Sequence, residues 1–186
     1  MKKAILLLAA VSLLEIGFNI DMGLCIPKTE AAPKKQKSLS YDYQKLIKKG
    51  VIFSEDGTIL NSVPKTFKGH FDIPNGVTEI STYAFQLCTM LTGVSIPYGV
   101  TTIEAYTFSN CSRLRIINIP NSVTSIGSGA FRGCTKIVSI NIPDGVTYIG
   151  KKAFCDCKYL KSIFIPKNCK YSDDSFPDDC QVVIRD

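Results

Sequence analysis

The sequence predicts a short right-handed solenoid, a coil of about four 23-residue repeats with stacked parallel strands and a cap at each end. Three observations predict it. Ile-Pro pairs stand at Ile73-Pro74, Ile96-Pro97, Ile119-Pro120, Ile142-Pro143 and Ile165-Pro166, each 23 residues from the next. Val-Thr follows in phase at Val77-Thr78, Val100-Thr101, Val123-Thr124 and Val146-Thr147. Phe-x-x-Cys then recurs at Phe85/Cys88, Phe108/Cys111, Phe131/Cys134 and Phe154/Cys157. A period in the twenties, kept in phase by ten or so positions, marks stacked repeats that bury their apolar residues only against one another.

The elements follow in chain order. Lys2 and Lys3, then the apolar run Ala4 to Leu14 ended by Glu15, have the layout of a secretory signal and are too short to span a membrane, so residues 1–25 read as a signal peptide region. Cys25 is a candidate for lipidation, although Leu24 stands where a small residue is wanted before such a cysteine; an unmodified secreted or surface form is the alternative. Residues 26–40 carry Lys34, Lys35 and Lys37 among Ala, Pro and Ser and read as a basic flexible linker. An N-terminal cap and first strand are expected over 41–74. Asp42 to Lys49 forms a short helix ended by Gly50, and Val51-Ile-Phe53 and Thr58-Ile-Leu60 flank a Ser54-Glu-Asp-Gly57 hairpin turn.

Residues 75–166 hold the repeats. In Leu91-Thr-Gly-Val94-Ser-Ile96 the alternation of Val94 in, Ser95 out and Ile96 in is that of a half-buried strand, and Pro97, lacking an N–H, ends it. Asn75-Gly76, Tyr98-Gly99, Asn121-Ser122 and Asp144-Gly145 supply turn chemistry after each proline, with glycine allowing a positive φ. Val-Thr-x-Ile returns as a second extended segment, and Ala-Phe-x-x-Cys is expected to make a helical turn that closes the coil. Rungs should lie about 4.8 Å apart with like residues stacked on like. Residues 167–186 form the closing cap. Ser175 and Phe176 fall 22 residues after Ala153 and Phe154, Gln181 to Ile184 is the closing strand, and four aspartates (173, 174, 178 and 179) keep that end wet.

The unit Cys-x-x-Leu-x-x-Ile-x-Ile-Pro-x-x-Val-Thr-x-Ile-Gly-x-x-Ala-Phe, carried by residues 71–166, resembles the BspA-like, treponemal type of leucine-rich repeat. Ser81 and Glu104 depart from the glycine kept at Gly127 and Gly150, and Thr107 departs from the alanine kept at Ala84, Ala130 and Ala153. The resemblance implies a leucine-rich repeat solenoid among extracellular or surface proteins that bind other proteins, with no shared catalytic residues.

Cysteine, charge and catalytic inventories narrow the function. Eight cysteines in an exported chain ordinarily suggest disulfides. Cys88, Cys111, Cys134 and Cys157 occupy equivalent sites, so a buried column of thiols is the simpler account, with rung-to-rung bridges the competing one. Near the back, Cys155, Cys169 and Cys180 leave room for one bridge. Cys155-Asp-Cys157 lacks paired ligand spacing and the single histidine, His70, is remote, so neither zinc nor any other cofactor is expected. The net charge of +6 is concentrated in residues 26–50, with seven Lys against two acids. Residues 51–186 carry thirteen Lys and Arg against twelve acids, which disfavours nucleic acid as a partner. With no phosphate loop and no Ser-His-Asp set, the chain reads as a non-enzyme.

The outward columns of the strand face remain. They are His70, Gly93, Ile116, Ser139 and Ser162, and Asp72, Ser95, Asn118, Asn141 and Phe164. They vary while the inward residues repeat, so recognition is assigned there, with Asn118 and Asn141 as hydrogen-bonding groups and Ile116 and Phe164 as apolar anchors. The leading expectation is a secreted or cell-surface protein-binding module engaging an extracellular matrix or cell-surface protein in adhesion. The alternative is a structural envelope or self-associating scaffold.

Overall fold

The structure, a computed structural model, describes residues 40–185. The signal-peptide, Cys25 and linker expectations lie outside these residues. An amphipathic helix, α1 (Tyr41–Lys48), opens the fold and is closed by Gly50 at φ +86°. Its one buried residue, Tyr43, packs on Phe53 with ring centroids 4.9 Å apart. The predicted hairpin follows as antiparallel β1 (Ile52–Phe53) and β2 (Ile59–Ser62). Its turn is held by Asp56, whose carboxylate accepts from the Ser54 hydroxyl and from both the N–H and the hydroxyl of Thr58.

Two strand columns then alternate along the chain. The first contains β3 (Gly69–Asp72), β5 (Leu91–Ser95), β7 (Ile116–Asn118), β10 (Ser162–Pro166) and β11 (Gln181–Arg185). The second contains β4 (Glu79–Ile80), β6 (Thr102–Ile103), β8 (Ser125–Ile126) and β9 (Tyr148–Ile149). Pairing within both columns is parallel, and β2 leads into the second by pairing with β4. Counting the segment around Asn141, which bridges to Phe164, the first column has six rungs. The coil therefore makes about six turns, counting the first strand expected within 41–74 and the closing strand expected over Gln181 to Ile184.

Each Pro-x-x-Val turn is closed by a hydrogen bond from the Val N–H to the Pro carbonyl, as from Val77 to Pro74 at 3.1 Å, and Cys169 closes the turn after Pro166 in the same way. Gly76 and Gly99 take φ +126° and +127°, but Ser122 and Gly145 close the same turn without a positive φ, which explains why serine is accepted there. The third side of the coil differs from the helical turn expected of Ala-Phe-x-x-Cys. Alternate N–H groups bond locally, as Ala84 to Ser81 and Cys88 to Phe85. The intervening ones reach the next rung, as Phe85 to Thr107, Phe108 to Ala130 and Phe131 to Ala153 at 2.7–2.9 Å. This alternation requires left-handed residues at two phases, Tyr83, Tyr106, Gly129 and Lys152, and Leu87, Asn110, Gly133 and Asp156, all with φ between +56° and +71°. A continuous α-helical turn would aim every N–H along its own axis and leave the next rung's carbonyls unpaired.

The core is one continuous cluster running the length of the coil. Phe71, Phe85, Phe108, Phe131, Phe154 and Phe176 form its spine, with successive centroids 4.9–5.6 Å apart. From Phe85 onward the rings are stacked, and the 22-residue step to Phe176 preserves the stack. Ser175 takes the place of Ala153, its carbonyl accepting from Phe154 and its hydroxyl accepting from the Ser172 N–H at 2.9 Å. Thr107, which replaces the repeat alanine, is fully buried and donates its hydroxyl to the Glu104 carbonyl at 2.8 Å. The thiols of Cys111, Cys134 and Cys157 donate to Phe85, Phe108 and Phe131 carbonyls at 3.1–3.2 Å, and Cys88 makes longer contacts to Val63 and Pro64. Cys88, Cys111, Cys134 and Cys157 form a buried column at 0 % exposure.

Pro166 is an exception to the strand-ending proline, pairing within β10 opposite Arg185. Having no N–H, it cannot serve the Ile142 carbonyl, and the Arg185 guanidinium takes that carbonyl together with Asp144 at 3.0 Å.

Candidate functional site: the strand face

The first strand column presents its inward residues, among them Leu91, Val94, Leu114, Ile163 and Ile165, to the core at 0–1 % exposure. A two-residue period then sends the alternate positions to solvent. Register places His70 beside Gly93 and Gly93 beside Ile116, and Asp72 beside Ser95 and Ser95 beside Asn118. Asn141 bridges to Phe164, and Ser162 and Phe164 pair with Gln181 and Val183. The register thus aligns His70, Gly93, Ile116, Asp72, Ser95 and Asn118 on one ladder and Asn141, Ser162 and Phe164 on the next, while Ser139 joins no ladder pair. Gln181 and Val183 extend them, missed because the last rung leaves the 23-residue beat.

At the N-terminal end, α1 and the first two rungs enclose a groove of about 550 Å³ lined by Lys45, Lys49, Phe67, His70 and Asp72 among others. The His70 ring lies over Gly93, where a side chain would occupy its Nδ1. Its Nε2 approaches both Ser95 Oγ at 2.8 Å and Asp72 Oδ1 at 3.2 Å. A serine-histidine-acid relay needs the hydroxyl and the carboxylate on opposite ring nitrogens. Here both meet one nitrogen, so the trio is a surface hydrogen-bonded cluster. Among the described residues no group of His, Cys, Asp or Glu is arranged to hold a metal ion.

Toward the C-terminal end the face becomes apolar and basic. Ile116 and Val138 are each 66 % exposed, and Tyr159 and Phe164 each 52 %. Arg115, Lys136, Val138, Ser139 and Tyr159 line a shallow depression of about 480 Å³, with the Lys136 ammonium 4.9 Å from the Tyr159 ring centre. Sequence reasoning missed Arg115, Lys136, Val138 and Tyr159. The stretch between the buried leucine and the next inward residue holds two consecutive outward positions, Thr92-Gly93 or Arg115-Ile116, and only the second was counted. The near-neutral charge of residues 51–186 also concealed local segregation: residues 112–118, 135–141 and 158–164 hold five Lys and Arg and no acid.

The thiol column is chemically quiet. Burial raises Cys88 to about 11 and Cys157 to about 12 from an ordinary value of 9.0, and pushes Cys111 and Cys134 up as well. Neutral thiols in such surroundings pack as small hydrophobes and are poor nucleophiles.

A parallel-strand solenoid with an invariant core and one variable open sheet face defines a class of repeat scaffold. The chain belongs to the BspA type Leucine rich repeat region family, matching it in six copies over residues 66–183. Solved structures show the same coil. A leucine-rich repeat protein of T. pallidum is 25 % identical with a TM-score of 0.59, over 69 % of this chain and 61 % of that one. A leucine rich cell surface protein from Faecalibacterium prausnitzii is 32 % identical with a TM-score of 0.68, over 73 % of this chain and 38 % of that one. The pneumococcal vaccine antigen PcpA shares the fold at 18 % identity and a TM-score of 0.53, over 74 % of this chain and 47 % of that one. The chain therefore spans less than two thirds of the length of these structures. No curated protein matches the sequence. Leucine-rich repeat solenoids of this kind are generally protein-interaction modules and generally non-enzymatic.

Proposed function

We propose that the protein is an exported or cell-surface binding module that engages another protein through the strand face and acts by binding, without catalysis. The carrying observation is the contrast between positions on one set of strands: inward residues repeat in every rung, while outward ones change from His70 to Ile116 to Ser162 and from Asp72 to Asn118 to Phe164. A core imposes the first pattern. The second is free to encode recognition, and exposed Ile116 and Phe164 beside Asn118 and Asn141 supply the apolar anchors and polar groups of an interface centre. His70, Asp72, Ser95, Ser139 and Ser162 form its hydrogen-bonding surround. Surface placement is supported by the likeness to a structure described as a cell surface protein.

The test replaces Ile116, Asn118, Asn141 and Phe164 together with serine or alanine in the full chain and measures capture of proteins from cell-surface and matrix extracts. Loss of the captured partner with the melting temperature kept within a few degrees supports the reading; undiminished capture removes this face from the function. A second reading, self-association into a scaffold, is favoured by one observation: β11 ends the stack with Ile184 53 % exposed and its outer edge unpaired among the described residues. Sedimentation separates them, since end-to-end association raises the mass with concentration and is blocked by Ile184→Lys.

A further inference from the structure

The first strand column is not continuous. β3, β5 and β7 form one ladder and β10 and β11 another, and the rung between them, residues 137–141, joins neither as a strand. Its one link is the Asn141 bridge to Phe164; among the described residues no ladder bond joins it to β7. Packing loosens at the same place: inward Ile117 is only partly buried, whereas its counterparts Val94 and Ile163 are closed off at 0–1 % exposure. The strand ladder is therefore interrupted in the middle of the face.

The 480 Å³ depression opens at this interruption, and its walls have a definite chemistry. Arg115 and Lys136 supply positive charge with no carboxylate in the three strand segments around them. Of the cations in those segments, Lys161 is paired with Asp179. Val138 and Tyr159 line the same depression, and Ile116 and Phe164 flank it on the neighbouring rungs. A ligand that fits must bring negative charge for the cations and apolar side chains for the four exposed hydrophobes.

We propose that the interrupted rung is a docking site for an extended acidic segment of a partner protein, one in which carboxylates alternate with aliphatic or aromatic side chains. This rests on the strand face being the binding surface and names the chemistry of what binds there. An extended peptide carries carboxylates and apolar side chains close together along one chain, so it meets both requirements. A polyanion such as a sulfated polysaccharide or a nucleic acid meets the charge requirement and leaves Ile116 and Val138 without apolar contacts.

The experiment titrates the full chain with short labelled peptides, one alternating Asp and Leu and one alternating Asp and Ser, and with heparin. Expected is saturable binding of the Asp-Leu peptide, weakened by added salt, at least about tenfold tighter than the Asp-Ser peptide, and lost by at least about tenfold in Arg115→Glu/Lys136→Glu. Equal binding of the Asp-Ser peptide or of heparin overturns the proposal in favour of a general polyanion site. Binding of the Asp-Leu peptide unchanged by the charge reversal also overturns it, by placing the peptide elsewhere. If no probe binds while the Ile116/Asn118/Asn141/Phe164 variant still loses its captured partner, the acidic-segment chemistry is wrong and the strand-face reading stands.

Discussion

Truncating one ring of the phenylalanine spine tests whether the fold behaves as a stack of mutually dependent rungs. Phe131 is fully buried, with the Phe108 centroid 5.4 Å away on one side and that of Phe154 5.1 Å away on the other. Phe131→Ala removes its burial and both stacked neighbours together. The hole cannot close, because the rungs above and below are held at fixed pitch by the Phe108 to Ala130 and Phe131 to Ala153 hydrogen bonds. The cost should be about 3–5 kcal/mol, a fall in melting temperature of about 6–20 °C for a domain of this size. Phe176 has a spine neighbour on one side only and borders the end of the coil, so Phe176→Ala should cost roughly half as much by the nearest-neighbour logic of repeat proteins. Exposed Phe164→Ala should change stability by no more than about 0.5 kcal/mol. Urea denaturation followed by circular dichroism gives all three. Equal losses for Phe131 and Phe176, or a loss for Phe131 no larger than for Phe164, would refute the reasoning.

Other expectations follow from the same geometry. In the native protein, Cys155 and Cys180, each partly exposed, should react with a chromogenic disulfide reagent well before Cys88, Cys111, Cys134 and Cys157, which should respond only on unfolding; fewer free thiols than cysteines after denaturation would show bridges instead. Because folding raises Cys88 and Cys157 to about 11 and 12, the unfolded chain releases these protons first. Their contribution is therefore complete below about pH 9 and is lost as pH rises through the folded values, so Cys88→Ala/Cys157→Ala should flatten the alkaline fall in stability. At Gly127 a methyl group would sit 2.6 Å from the Ala105 nitrogen, so Gly127→Ala should cost about 1–3 kcal/mol. Gly93→Ala would meet only the movable His70 ring and should leave the melting temperature nearly unchanged while freeing His70 from Ser95.

The hairpin, the parallel rungs, the phenylalanine spine and the thiol column were all legible in the sequence because each depends on local chemistry repeated in phase. Ile-Pro ends a strand in any context, and Phe and Cys at fixed separation in every unit can only be stacked on their copies. The closing turn was misread as helical because its conformation is set by the neighbouring rung. Tyr83, Leu87, Tyr106 and Lys152 are not residues that favour positive φ, and they adopt it because alternate N–H groups must reach carbonyls 22 residues on. The candidate site was half legible. Variation against the repeat pointed to His70, Ile116, Asn118, Asn141 and Phe164, but not to Arg115, Lys136, Val138 and Tyr159.

What the sequence determined by itself is the scaffold, since a period and its phase are properties of the chain and stacking is the one arrangement that buries every repeat. What only the tertiary structure decided is where that regularity lapses. The break in the ladder at 137–141, the depression beside it, and the meeting of cations from separate repeats depend on through-space neighbours 21 to 25 residues apart. In a linear count those charges are balanced by acids in other loops. In the folded coil they face one surface, with the ladder open between them.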